Sequence, residues 1–251
     1  MKPSEIHVGP DLTLYHVGPP LDLGPLPSFF YFSLSGPDSL CLDPFNQPVQ
    51  FLHGKMIRVF SMTLPGHESN LPPTKAMEVW ADDFAKKRNP IMEFLNSFET
   101  ALDFVIREKF VNPHKMGVGG LSRGGFIAFH AAAREERLKF VLAFAPITKL
   151  HMVKEFRTLH DDPVVQSLDA IHLSQSLAGK HLRLHIGNHD TLVGTRSSFD
   201  FAMSVVEASL VKTRSPQVEF SLHPSIGHQG HGTPPEIFRQ GADWMATCLI
   251  P

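Results

Sequence analysis

The chain has 251 residues and a net charge of −2, with its 23 Lys and Arg scattered rather than blocked; that length can bury a core without covalent staples, and that charge pattern argues against nucleic acid or an anionic membrane as partner. Cys41 and Cys248 are the only cysteines and have neither metal nor redox spacing, so two free thiols in a reducing cytosol are expected. The start, MKPSEIHVGPDL, lacks a basic region followed by an apolar run, and no apolar stretch is long enough to span a bilayer, so a cytoplasmic protein without stable membrane insertion is expected.

Leu12 to Val17 (LTLYHV) alternates enough to be an early strand, ended by the Gly- and Pro-rich GPPLDLGPLP. Phe29 to Leu34 (FFYFSL) is a nearly continuous apolar run opening onto Ser35-Gly36-Pro37, and Ile57 to Leu64 (IRVFSMTL) opens onto Pro65-Gly66-His67-Glu68. Such runs suit strands buried on both faces of a parallel sheet. From Thr74 to Phe110 the period becomes helical, cut by Asn89-Pro90; in the second piece Ile91, Leu95, Phe98, Leu102, Val105 and Ile106 form one apolar stripe. Further strands are expected before Ser122, over Leu138 to Ala145, over Leu182 to Ile186 and over Val218 to Leu222, with helices after Ser122, over about 197–211 and over about 235–249. Strands alternating with helices describe an open parallel sheet covered on both faces, with its site beyond the carboxyl ends of the strands. Residues 1–251 read as one domain, with 148–179 as a short insertion or minimal lid.

The pattern Gly120-Leu121-Ser122-Arg123-Gly124 lies where an apolar strand runs into the helical sequence FIAFHAAAREE. A serine on such a turn has its hydroxyl lifted clear of the sheet, as a nucleophile needs; the plainer alternative is a serine capping the helix. A nucleophilic serine needs a base, and the base needs an acid that fixes its tautomer. Asp190 follows the Leu182 to Ile186 strand in Gly187-Asn188-His189-Asp190, with an Asx-turn or helix cap as its competing role. For the base, His228 in Ile226-Gly227-His228-Gln229-Gly230 is the first candidate and His231, between Gly230 and Gly232, the alternative; His223 follows its strand closely enough to pack. The HxxH spacing of His228 and His231 lacks a paired-ligand signature, so neither metal nor other cofactor is expected.

An oxyanion needs two donors. One is the N–H of Arg123 at the start of the helix. The second is expected from the Ser35-Gly36-Pro37 loop, with Gly36 first and Ser35 or Asp38 behind it because Pro37 has no N–H; the Gly66-His67 loop is the fallback. The Arg123 side chain either pairs with an acid, faces solvent or meets an anionic group of the substrate. Ser35, Phe126, Phe144, Met152 and Phe156 are the candidate pocket residues, each also able to serve as packing.

These pieces resemble the α/β-hydrolase superfamily over nearly the whole chain, most closely its compact single-domain esterase, thioesterase and serine-peptidase-like members. The resemblance rests on Gly120 to Gly124, on Leu64 to Asn70 (LPGHESN, similar to LPGHGxS), on the turn carrying Asp190 and on Gly227-His228. It implies a three-layer α/β-hydrolase fold with a mostly parallel sheet, and it places Ser122, Asp190 and His228 in the family's triad. The chain departs from the family at Ser35-Gly36-Pro37, where His-Gly is usual, and at Glu68, where glycine is usual. A carboxylesterase acting on a small ester through an acyl-serine is expected, with a thioesterase or a peptidase/amidase acting on a short peptide as alternatives. A non-catalytic binding protein on the same fold is the alternative of another class.

Overall fold

The computed structural model describes residues 2–68 and 71–250, so Ser69 and Asn70 of the LPGHESN segment lie outside the described residues. A hairpin of β1 (Ser4–Gly9) and β2 (Leu12–Val17) opens the chain. It is followed by β3 (Leu26–Phe32), β4 (Arg58–Ser61), β5 (Val111–Leu121), β6 (Phe140–Phe144), β7 (His181–Gly187) and β8 (Val218–His223). These form one sheet in the order β1-β2-β4-β3-β5-β6-β7-β8. From β4 to β8 every pairing is parallel; the hairpin is antiparallel and joins the edge of β4.

The apolar run at Phe29 is explained by which faces it covers. Side chains alternate across a strand, and Phe30 and Phe32 enter one core while Phe29 and Tyr31 enter the other. The first core takes in α3 (Ala76–Ala85), α4 (Pro90–Arg107), α5 (Arg123–Arg134) and α8 (Thr195–Leu210). The second is covered by α1 (Gly36–Cys41), α2 (Gln47–Leu52) and α9 (Pro235–Leu249). Asn89 separates α3 from α4 by a physical device: its side chain accepts the Met92 N–H at 3.0 Å while Pro90 supplies the first helical residue.

The sequence does not announce β1, because Ile6 is its one buried side chain. The short α1 and α2 are likewise not signalled; each has proline in its first turn. The 148–179 segment forms short helical turns with α6 (Pro163–Ser167) and α7 (Ser174–Leu177), and its Leu150, Phe156, Val165 and Leu177 are buried in the first core. Among the described residues no helix is long and apolar enough to cross a membrane.

Candidate active site

Between β5 and α5, Ser122 adopts φ 55°, ψ −113°. A non-glycine residue there stores roughly 1–3 kcal/mol and persists only where its surroundings over-determine it. They do so here: the Ser122 N–H donates to Phe144 O at 2.8 Å, and Ser122 O accepts from Phe126 and Ile147 N–H, both at 3.2 Å. The turn also presses α5 onto β3. A Cβ on Gly124 would stand 1.9 Å from the Phe32 carbonyl oxygen, so no side chain fits without moving backbone. Gly124→Ala is expected to destabilise the fold by about 3 kcal/mol, read as a lower urea midpoint, because close-packed backbone cannot yield as a flexible side chain can.

Ser122 Oγ lies 2.9 Å from Nε2 of His231, and His231 Nδ1 lies 2.7 Å from Asp190 Oδ2. The structure does not bring His228, the first candidate for the base, to Ser122: His228 is exposed, and it is His231 that reaches both Ser122 and Asp190. The reason lies in the loop. An antiparallel bridge joins Ile226 to Gly232, Gln229 (φ 54°) and Gly230 (φ 75°) turn the chain left-handed, and the Gln229 carbonyl accepts from both N–H and Oγ1 of Thr191. That curl directs His231 inward and leaves His228 on the outer side. Both nitrogens of His231 are thereby occupied.

Asp190 is buried and divides its two oxygens between tasks. Oδ1 accepts the N–H groups of Leu192 and Val193 at 3.0 and 3.1 Å, while Oδ2 faces His231. The Asx-type turn and the pairing with the base are therefore simultaneous. Thr195, which no sequence pattern marks, accepts the Asp190 N–H at 2.9 Å and donates its hydroxyl to Gly187 O at 2.6 Å.

Other expectations need correction. The Gly36 N–H donates to Thr63 Oγ1 at 3.0 Å, which spends the donor first assigned to the oxyanion. Ser35 caps α1: its hydroxyl donates to Asp38 Oδ2 at 2.7 Å and accepts the Asp38 N–H at 3.2 Å, a use that competes with substrate contact. Phe126, Phe144 and Phe156 are wholly buried, packed against His130, Phe238 and Phe84 respectively, and line no open pocket. Met152 alone of the apolar candidates is exposed, and its Cε borders Gly194 in the loop after Asp190.

A sequence profile of the prolyl oligopeptidase family matches residues 80–250. The chain belongs to that family. Its fold is that of the α/β-hydrolases. Comparison with curated proteins gives no match. Among solved structures it is similar to TT1662 from Thermus thermophilus, at 16% identity and TM-score 0.72, with all of both chains covered. It is also similar to the acylaminoacyl peptidase of Pyrococcus horikoshii (15%, TM-score 0.67), covering 97% of this chain and 40% of that one. A cold-adapted esterase from an Arctic intertidal metagenomic library aligns at 17% identity and TM-score 0.61, covering 98% of this chain and 92% of the esterase. The chain thus spans well under half the length of the peptidase.

In this prolyl oligopeptidase family member, Arg123 turns its side chain toward the loop after β4. Its Nη1 donates to His67 Nε2 and to Pro73 O, each at 3.1 Å. Burial, and then the Arg123 charge, push His67 down to about 4, leaving it a neutral acceptor. A cavity of about 400 Å³ opens beside the same loop, bordered by Tyr15, Thr63, Gly66, Glu68 and Phe94. A larger one, about 670 Å³, lies among Val17, Leu23, Val49, Leu52 and Ile57 at the opposite end of β4 and includes none of Ser122, Asp190 and His231. Size alone points to the latter; the hydrogen-bonded relay of three side chains outweighs it as a guide to chemistry.

Proposed function

We propose that Ser122, His231 and Asp190 are the nucleophile, base and orienting acid of a carboxylesterase. The observation that carries the reading is the relay of 2.7 and 2.9 Å from Asp190 through His231 to Ser122. In the first step Ser122 Oγ bonds to the acyl carbon as its proton passes to His231 Nε2, and the carbonyl oxygen becomes an oxyanion. His231 then gives that proton to the departing alkoxide as the acyl–oxygen bond breaks, and water repeats the sequence to free the acid and restore Ser122. Asp190 keeps the Nδ1 proton on the imidazole throughout.

The Arg123 N–H, at the first position of α5, has no intrahelical acceptor and is the first oxyanion donor. In the loop after β3 the N–H groups of Ser33 and Leu34 are taken by Ser39 Oγ and that of Gly36 by Thr63, so Ser35 N–H is the remaining candidate there. A peptidase or amidase activity is the second reading, favoured by the match to a peptidase family over residues 80–250. Labelling with a fluorophosphonate is expected in the wild type and absent in Ser122→Ala; a folded wild type that takes no label overturns the assignment. A panel of p-nitrophenyl esters, acyl-CoAs and aminoacyl amides then separates esterase, thioesterase and amidase.

A further inference from the structure

Among the described residues Arg58 and Lys180 are the buried cations and are held by backbone carbonyls, while Arg183 keeps a buried Nε without a hydrogen-bond partner but faces Glu219 at 3.6 Å. Arg58 donates through Nε, Nη1 and Nη2 to the carbonyls of Pro19, Gly24, Phe110 and Pro20. Lys180 donates to the carbonyls of Glu135 and Leu138, and Arg137 pairs with Glu135 and Asp103. Arg123 differs from Arg58 in leaving most of its guanidinium donors unused. It uses Nη1 alone, its two acceptors are uncharged, and it makes no ion pair among the described residues. Its Nε and Nη2 have no partner there and are not sealed from solvent. Glu155 is the acid whose field reaches it, and Glu155 Oε1 already has Lys154 Nζ at 3.8 Å. Burial lowers the pKa of Arg123, the sign of a charge without its full solvation.

A half-desolvated guanidinium with free donors, one residue beyond the proposed nucleophile, is a receptor for an anion. We propose that Arg123 is a specificity-determining subsite that binds a carboxylate on the substrate, so that the preferred substrates are anionic esters or peptides. This rests on Ser122 being the nucleophile. The fork of the guanidinium matches a carboxylate in a way an ammonium does not. His67 and Pro73 hold one end of it and leave the other edge open. The carboxylate can sit on the acyl chain or on the leaving group, and the same cation serves either.

The test compares kcat/KM for matched pairs. p-Nitrophenyl hemiglutarate against p-nitrophenyl valerate places the charge on the acyl side, and 3-acetoxybenzoate against phenyl acetate places it on the leaving group. In the wild type one of the two anionic esters is expected to be preferred over its neutral match by about tenfold or more, the scale of a charge-assisted hydrogen bond. That ratio should collapse toward one in Arg123→Gln and recover in part in Arg123→Lys. No anionic preference in either pair, or a preference that survives Arg123→Gln, overturns the proposal. If Arg123→Gln does not fold, a ratio in Arg123→Lys equal to that of the wild type overturns it equally. Turnover of the neutral esters together with fluorophosphonate labelling keeps the nucleophile reading intact when the subsite fails; loss of both sinks the two together.

Discussion

Replacing His231 with alanine is expected to lower kcat for p-nitrophenyl esters by roughly 10⁴-fold or more, whereas His228→Ala leaves it within about threefold. His231 touches both Ser122 and Asp190, and among the described residues no other histidine hydrogen-bonds to either side chain. Without its imidazole the Ser122 proton has no acceptor in line, and the Asp190 carboxylate is left buried with a lone pair facing a void. His228 stands on the exposed side of the same loop, so its loss removes surface and no proton acceptor. Steady-state kinetics on the two variants, with circular dichroism to show that both fold, decide the matter. A His228→Ala enzyme as impaired as His231→Ala would mean that the loop rearranges before chemistry.

Acid is expected to unfold this protein well before its carboxylates titrate. Burial holds His16, His67 and His130 down to about 4 and His185 to about 3, with neighbouring arginines adding to the effect at His16, His67 and His185, and Arg134 at His130. In the unfolded chain a histidine titrates near 6.5. The unfolded state therefore binds more protons than the folded state below that value. Stability is unaffected above about pH 7 and falls as pH drops from 6.5 toward 4. At pH 5 each such histidine costs about 2 kcal/mol, and four together roughly 8, against a total stability of about 5–15 kcal/mol for an ordinary domain. Urea unfolding at pH 7.5 and pH 5 should show the midpoint collapsing over that interval. His185 is fully buried with neither ring nitrogen partnered, so His185→Met should lessen the pH dependence by about a quarter, one histidine of the four; a midpoint constant from pH 7.5 to 5 would refute the account.

The order of strands and helices was legible because the sequence carries it locally. Phe29 to Phe32 alternate between two cores, so the run is apolar throughout and reads as a doubly covered strand. The Asn89-Pro90 cut is a cap and a first helical residue, both chemical signals within four positions. Elements without such signals went unread: β1 buries one side chain, and α1 begins at a loop glycine whose constraint, the Tyr15 ring packed against it, comes from a distant strand. Ser122 and Asp190 stand at the ends of strands, where position follows from topology.

Which histidine meets Ser122 was harder to read for a different reason. Gly227-His228 and Gly230-His231 look alike in sequence, and the choice between them is made by hydrogen bonds from Thr191 to Gln229, 38 residues away along the chain. Phe126, Phe144 and Phe156 lie in the core and Met152 does not, a difference that a phenylalanine beside a serine turn does not mark in sequence. Arg123 was legible as a charge but not as a charge lacking a counterion, which depends on His67 and Pro73 arriving from another loop.

The two contacts from Thr191 to the Gln229 carbonyl join the loop of the acid to the loop of the base. Asp190 and His231 thus belong to one bracket, anchored on β7 and β8, while Ser122 belongs to another, anchored on β5 and β6. Whatever disturbs the site acts chiefly on a single coordinate, the gap between the two brackets, spanned by the 2.9 Å contact from His231 to Ser122. A substitution that shifts one bracket against the other is expected to lengthen the contact from His231 to Ser122 while His231 and Asp190 remain paired.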